Sequence, residues 1–399
     1  MKKLILIIML LWPFSAYALS LPNDLYSDKI LVYDLTDNKV LLEKKSDEIA
    51  NIASLTKIMT TITAIEKVPD INQKFEITDA VFAGLPWDAS VAGLKVGDIL
   101  TIEDLLYASI LPSGADATQA LAIFSAGSVA SFVSDMNKLA QDIGATNSKF
   151  KNVTGLDEEG HQSTASDILK ILKYALSNPL FQRIYSTKEY TLSNELVVKS
   201  TIVGYSKNQN INTDRILGSK TGYTSKAGLC MSALTNINGH EVIIITLGAP
   251  PIIKEAYNIK DVLSLTQFLD NNYKEIELIK EHDLVQELPV VLSKIDSYSI
   301  TASKTITKYL PVNYNKENFK AIYDGLLELS FKTKGKVGIV KYYYNDELLG
   351  EEDIYLDESI NPDLIKILKE YWYVFSFVII CLILFISLLL KAKKRVVSH

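Results

Sequence analysis

Cysteine is nearly missing from this chain: Cys230 and Cys381 are the only two among 399 residues. Cys381 sits inside a long apolar run, so no disulfide is expected to join the pair, and the fold has to rest on its own core. Histidine is scarce as well, with four copies. No thiol–histidine pair and no metal site of recognisable spacing can be assembled from so few donors, so neither a metal nor another cofactor is expected. Positive charge falls short of negative, 41 Lys and Arg against 47 Asp and Glu. Six of the basic residues and none of the acidic ones lie at the two ends, leaving the body between them near −12. A body of that sign repels a phosphate backbone, which excludes nucleic acid as a partner. Internal repeats and low-complexity stretches are absent too.

Long uncharged apolar runs occur only at those two ends. Lys2 and Lys3 precede Leu4–Trp12, and Ala16-Tyr17-Ala18 supplies the small residues read at a cleavage site. Residues 1–18 are therefore expected to be a secretory signal peptide. Residues 371–390, YWYVFSFVIICLILFISLLL, form a run without a charge. At about 1.5 Å per residue a helix there reaches about 30 Å, the thickness of bilayer hydrocarbon. Tyr371, Trp372 and Tyr373 border one side, and Lys391, Lys393, Lys394 and Arg395 the other. A transmembrane helix over 371–390 with a cytoplasmic basic tail over 391–399 is expected, which puts Leu19 to about Glu370 outside.

Between the ends, hydrophobic periodicity predicts an α/β or α+β body up to residue 274. Strands over 30–34 and 40–43 bracket a turn at Asp37-Asn38, and strands over 229–235 and 242–248 bracket Asn238-Gly239. Helices are expected from Ser54, from Thr101 with Glu103 and Asp104 in its first turn, over 132–143, over 166–176 with Ser166 as cap, and over 261–273. A small β-rich domain follows over 275–357. Tyr298, Ile300, Ala302, Ile306 and Leu310 keep a period of two there, and Asn345-Asp346 marks a hairpin. The Tyr342–Tyr344 run reads as strand packing. Residues 358–370 are expected to be a linker.

Three short stretches carry chemistry. In NIASLTKIMT, Ser54 and Lys57 lie one turn apart on one helix face. A serine hydroxyl becomes a good nucleophile when a neighbour takes its proton, and a lysine can do so only when neutral. Bringing an amine from its reference value to about 7 takes roughly 4.6 kcal/mol, within the reach of burial and a second cation. Taken alone the pair is a common helix start, with serine as cap. PSGADA places Ser113 in a loop, and GSKTGYTSKAG sets Lys220, Thr221 and Gly222 immediately before a strand. That ammonium and hydroxyl can hold a carboxylate, Gly222 can let substrate backbone approach, and Lys220 can be the second cation. His161 and the acidic run Asp157–Glu159 read as loop residues.

These stretches, in this order, resemble the Ser-x-x-Lys, Ser-x-Asn and Lys-Thr-Gly motifs of the penicillin-recognising serine enzymes. The surroundings LKVGDILTIEDLLYASILPSGADA, FKNVTGLDEEGHQSTASD and LGSKTGYTSKAG narrow the resemblance to low-molecular-mass D-alanyl-D-alanine carboxypeptidases. It implies an α+β fold of the serine β-lactamase/transpeptidase type, an antiparallel sheet with flanking helices over 19–274. It implies a penicillin-sensitive enzyme that removes the terminal D-alanine from peptidoglycan stem peptides, anchored on the outer face of a bacterial cytoplasmic membrane. Ser54 would be the nucleophile, Lys57 its base and Ser113 the proton relay. Lys220, Thr221 and Gly222 would bind substrate with Tyr223 and Thr224, and the Ser54 and Tyr223 N–H groups would form the oxyanion hole. The resemblance implies an arginine in relatives at the position of Lys254. Ala115 departs from the pattern, standing where the second motif usually has asparagine, with Asp116 next to it. Two other readings stay open, a β-lactamase and a non-catalytic binder of peptidoglycan or partner proteins.

Overall fold

The computed structural model describes residues 21–252, 255–356 and 359–396, so the expected signal peptide and Lys254 lie outside the described residues. The chain divides into two compact units, 1–273 and 274–399.

The first unit is built on a five-stranded sheet of β1 (Lys29–Asp34), β2 (Lys39–Lys44), β3 (Ile216–Thr224), β4 (Gly228–Ile237) and β5 (His240–Ala249). Its order is β2-β1-β5-β4-β3 and every pairing is antiparallel. Asn238 (φ 54°) and Gly239 (φ 92°) join β4 to β5, both in the left-handed region that a two-residue hairpin requires. Strands β4 and β5 are buried almost throughout rather than on alternate residues, because helices cover both faces. Helix α8 (Tyr257–Asn272) packs on β4 and β5, and α5 (Ala165–Leu176) packs on β1 and β5.

Helix α1 (Thr56–Lys67) runs through the centre of the helical layer, with Thr56 to Ala64 buried without interruption. A helix covered on all sides cannot send its polar groups to water, so they bond inside. Thr60 Oγ1 donates to Val153 O at 2.8 Å, and the Thr61 and Ser109 hydroxyls lie 2.8 Å apart. Around α1 pack α2 (Ile102–Ile110), α3 (Ala115–Ala126) and α4 (Val129–Asp142), with α6 (Pro179–Ser186) beyond. Thr101 and Asp104 close a reciprocal capping box at the start of α2, the acidic first turn the sequence suggests. Other ends differ from expectation. Thr164, not Ser166, caps α5, because only the residue three before Asp167 can accept its N–H. Helix α4 starts at Val129 behind Ser128, and α8 at Tyr257.

The second unit is β-rich. Tyr342 and Tyr344 are buried on the strand Gly335–Tyr344, whose hairpin with Glu347–Leu356 turns at Asn345-Asp346. Leu288, Val290, Ile300, Ile306 and Val340 complete its core. The period-two run is split between two strands, Ser297–Thr301 and Ile306–Pro311. Within the segment expected to be a linker, Pro362 bridges Ser293, Asp363 caps a helix α9 (Leu364–Glu370), and Lys366 pairs with Asp296 at 2.7 Å. Helix α10 (Trp372–Val396) contains the one segment among the described residues, Trp372–Leu390, that is by itself long and apolar enough to cross a membrane.

Candidate active site

A tight turn precedes α1. Ala53 adopts φ 47°, and Ser54 sits in a single 3₁₀ turn over Ala53–Leu55. Lys57, in the first turn of α1, is 2% exposed. Its Nζ lies 3.0 Å from Ser54 Oγ and donates to Thr154 O at 2.6 Å. Burial lowers this amine from its ordinary 10.5 to about 7, against the opposing charge of Asp116. Lys220 is deeper, 1% exposed, and donates to Thr221 O at 2.6 Å. Burial first, and the repulsion of Lys57 second, hold it well below the usual lysine range. Burial is thus the main cause at both amines, and the repulsion between them is the smaller one.

Two glycines shape the turn. Gly155 (φ 85°) lies under Ala53, where an added Cβ would meet Ala53 O at 2.0 Å. At Gly222 an added Cβ would lie 2.9 Å from Ser54 N. The side chain missing from Gly222 therefore makes room for the nucleophile's own backbone, where the sequence argument assigned that room to substrate.

Ser54, Lys57, Ser113, Ala115, Thr221, Gly222, Tyr223 and Thr224 line one cavity of 480 Å³. Ser113 reaches it from a left-handed residue (φ 65°) between α2 and α3, and Ala115 begins α3. Asp116 does not replace an amide at position 115. Its buried carboxylate accepts the N–H groups of Ala92, Gly93, Leu94 and Ala117, and so anchors residues 92–94. Lys220 lies on β3, which pairs with β4 through Ser232, and the Ser232 hydroxyl is 2.8 Å from Tyr185 OH. Tyr223 is half exposed at the rim. Thr224 is committed to structure, since Oγ1 donates to Asp157 Oδ1 at 2.7 Å and accepts from Ala227 N at 3.0 Å. Asp157, though exposed, therefore clamps the rim.

His161 is no base. Its Nδ1 accepts from Lys151 N at 3.1 Å, which leaves Nε2–H to donate to Thr56 Oγ1 at 2.8 Å. Thr56 Oγ1 in turn donates to Ala53 O at 2.8 Å. Burial drops this imidazole to about 4, so it stays neutral and braces the nucleophile turn. Sequence reasoning missed this brace, because its partners come from residues 53, 56 and 151. It also missed Thr154, Thr201, Tyr205 and Asn258 on the cavity wall. The one group of potential metal ligands among the described residues, Asp34, Asp37 and His240, lies outside the cavity. Asp34 there accepts the N–H of Thr36 and Asp37 and closes the β1–β2 turn.

The sequence profile of a family described as D-alanyl-D-alanine carboxypeptidase matches residues 16–251. D-alanyl-D-alanine carboxypeptidase DacF of Bacillus subtilis is 32% identical over 281 residues, which cover 67% of this chain and 68% of the relative. DacA of Escherichia coli, of the same description, is 26% identical over 368 residues, 87% and 89% of the two chains. Penicillin binding protein 5 of Haemophilus influenzae has a similar fold, with a TM-score of 0.60 at 24% identity over 86% of this chain and 99% of that one. A serine-to-alanine variant of the Streptomyces K15 DD-transpeptidase aligns at 27% identity and a TM-score of 0.54, over 61% and 98%.

Proposed function

The chain belongs to the D-alanyl-D-alanine carboxypeptidase family, and from that membership we propose how it works. It is a serine peptidase that cleaves the last bond of peptides ending in D-Ala-D-Ala, through an acyl-enzyme on Ser54. Neutral Lys57 takes the Ser54 proton as Oγ attacks the carbonyl carbon of the penultimate D-alanine. The N–H groups of Ser54 and Tyr223 stabilise the resulting oxyanion. As the C–N bond breaks, Ser113 relays the proton held by Lys57 to the departing amine, which leaves Lys57 neutral again. Water, deprotonated by Lys57, then releases the acyl group, and the serine proton returns. Lys220 and Thr221 hold the substrate's terminal carboxylate. The observation that carries this reading is the 3.0 Å separation of Ser54 Oγ from a buried amine lowered to about 7.

The natural substrate is the stem peptide of peptidoglycan, and β-lactams acylate the same hydroxyl. The first 18 residues direct export, and the apolar helix at the C-terminus anchors the enzyme with residues 19–370 on the outer face of the membrane. The basic residues Lys391, Lys393, Lys394 and Arg395 support that orientation. Fluorescent penicillin should label the protein covalently, and a tripeptide ending in D-Ala-D-Ala should release D-alanine. Ser54→Ala should lose both; a label that survives the substitution rules out this nucleophile.

A further inference from the structure

Thr221 has a single hydroxyl proton, and its oxygen lies 2.6 Å from the hydroxyl oxygen of Thr201. Two hydroxyls at that distance commit one of their two protons to each other, leaving one for a ligand. A carboxylate only accepts, so it binds well where the remaining proton faces it. Thr201 is the first residue of α7 (Thr201–Gln209), and both threonines line the cavity. Its own N–H donates to Leu111 O at 3.0 Å, two residues before Ser113. Thr201 thus spans from the Ser113 loop to β3, and its backbone is held independently of any ligand.

We propose that Thr201 is a positioning residue for substrate: its hydroxyl donates to Thr221 Oγ1 and so turns the Thr221 proton toward the ligand's terminal carboxylate. This rests on the reading that Lys220 and Thr221 hold that carboxylate. Without Thr201 the Thr221 hydroxyl becomes a free rotor, and its proton points elsewhere much of the time. The loss should fall on binding of carboxylate-bearing ligands and spare the serine–lysine chemistry.

The test uses the full-length protein in detergent. Thr201→Val keeps the side-chain shape and removes the donor. KM for a D-Ala-D-Ala peptide should rise about tenfold with kcat within about twofold, and Thr201→Ser should recover most of the loss. Acylation by a thioester whose leaving group lacks a carboxylate should be unaffected by Thr201→Val. In a Thr221→Val background, Thr201→Val should have no further effect, because it acts through that hydroxyl. A wild-type KM for Thr201→Val, an equal loss on the carboxylate-free thioester, or additive effects of the two substitutions would each overturn the proposal. If the unsubstituted protein releases no D-alanine, the proposed function fails by itself. The acylation efficiency of penicillin, which bears a carboxylate, then makes the same comparison at Thr201.

Discussion

Replacing Lys57 with methionine should make the protein more stable while disabling it, and the size of the gain should depend on pH. In the folded state the Lys57 amine titrates at about 7, against 10.5 when exposed. At about 1.36 kcal/mol per unit, burying the charged form costs about 5 kcal/mol at pH well below 7. The sign follows from proton counts. Between pH 7 and 10.5 the unfolded chain holds a proton that the folded one has released, so wild-type stability rises with pH across that window. Lys57→Met has no such dependence at this position. It leaves Thr154 O without its donor, which takes back about 1–3 kcal/mol at every pH. The variant should therefore lead by about 2–4 kcal/mol at pH 6, and the lead should shrink by about 2–3 kcal/mol by pH 9. For a unit of this size that shrinkage is roughly 5–10 °C in Tm. Thermal unfolding of both proteins, followed by circular dichroism in the same detergent from pH 6 to 9, measures it. Lys220 is present in both and largely cancels. Parallel Tm curves would mean that Lys57 keeps its charge when folded, and the general-base role would go with it.

Acylation by penicillin at subsaturating concentration should rise about tenfold per pH unit below about 7 and level off above it, since only neutral Lys57 can accept the proton; stopped-flow measurement at constant ionic strength reads the midpoint. Gly155→Ala drives a methyl into Ala53 O and strains a φ of 85°, so it should cost more than about 3 kcal/mol in stability and abolish labelling; a Tm within 2 °C of wild type would refute the fit. Ala115→Asn supplies an amide on the cavity wall and should raise the acylation rate about tenfold; an unchanged rate means that this chain's site is built to work without one.

Much of the site was legible because its chemistry is written in short local strings. Ser54 and Lys57 are one turn apart, and the α1 stripe around them announces a helix that is buried as expected. The hairpins at Asn238-Gly239 and Asn345-Asp346 were equally readable, since two-residue turns have narrow residue requirements, and Asp37-Asn38 marked the longer four-residue loop over 35–38. What stayed hidden depends on residues far apart in the chain. Thr201 meets Thr221 across a strand and a helix, and Asp157 meets Thr224 from another loop. His161 reads as an idle loop residue until Lys151 and Thr56 fix its tautomer. The α5 cap was misjudged by two residues because Thr164 and Ser166 are equally good acceptors in isolation; only the position of Asp167 N decides between them.

The backbone beside both serines is already twisted: Ala53 (φ 47°) and Ser113 (φ 65°) hold a left-handed shape that side-chain-bearing residues seldom take. Nothing about that shape waits for a visitor. An arriving inhibitor meets a backbone shaped in advance, so bond formation should begin on contact, in a single exponential without a lag at any concentration.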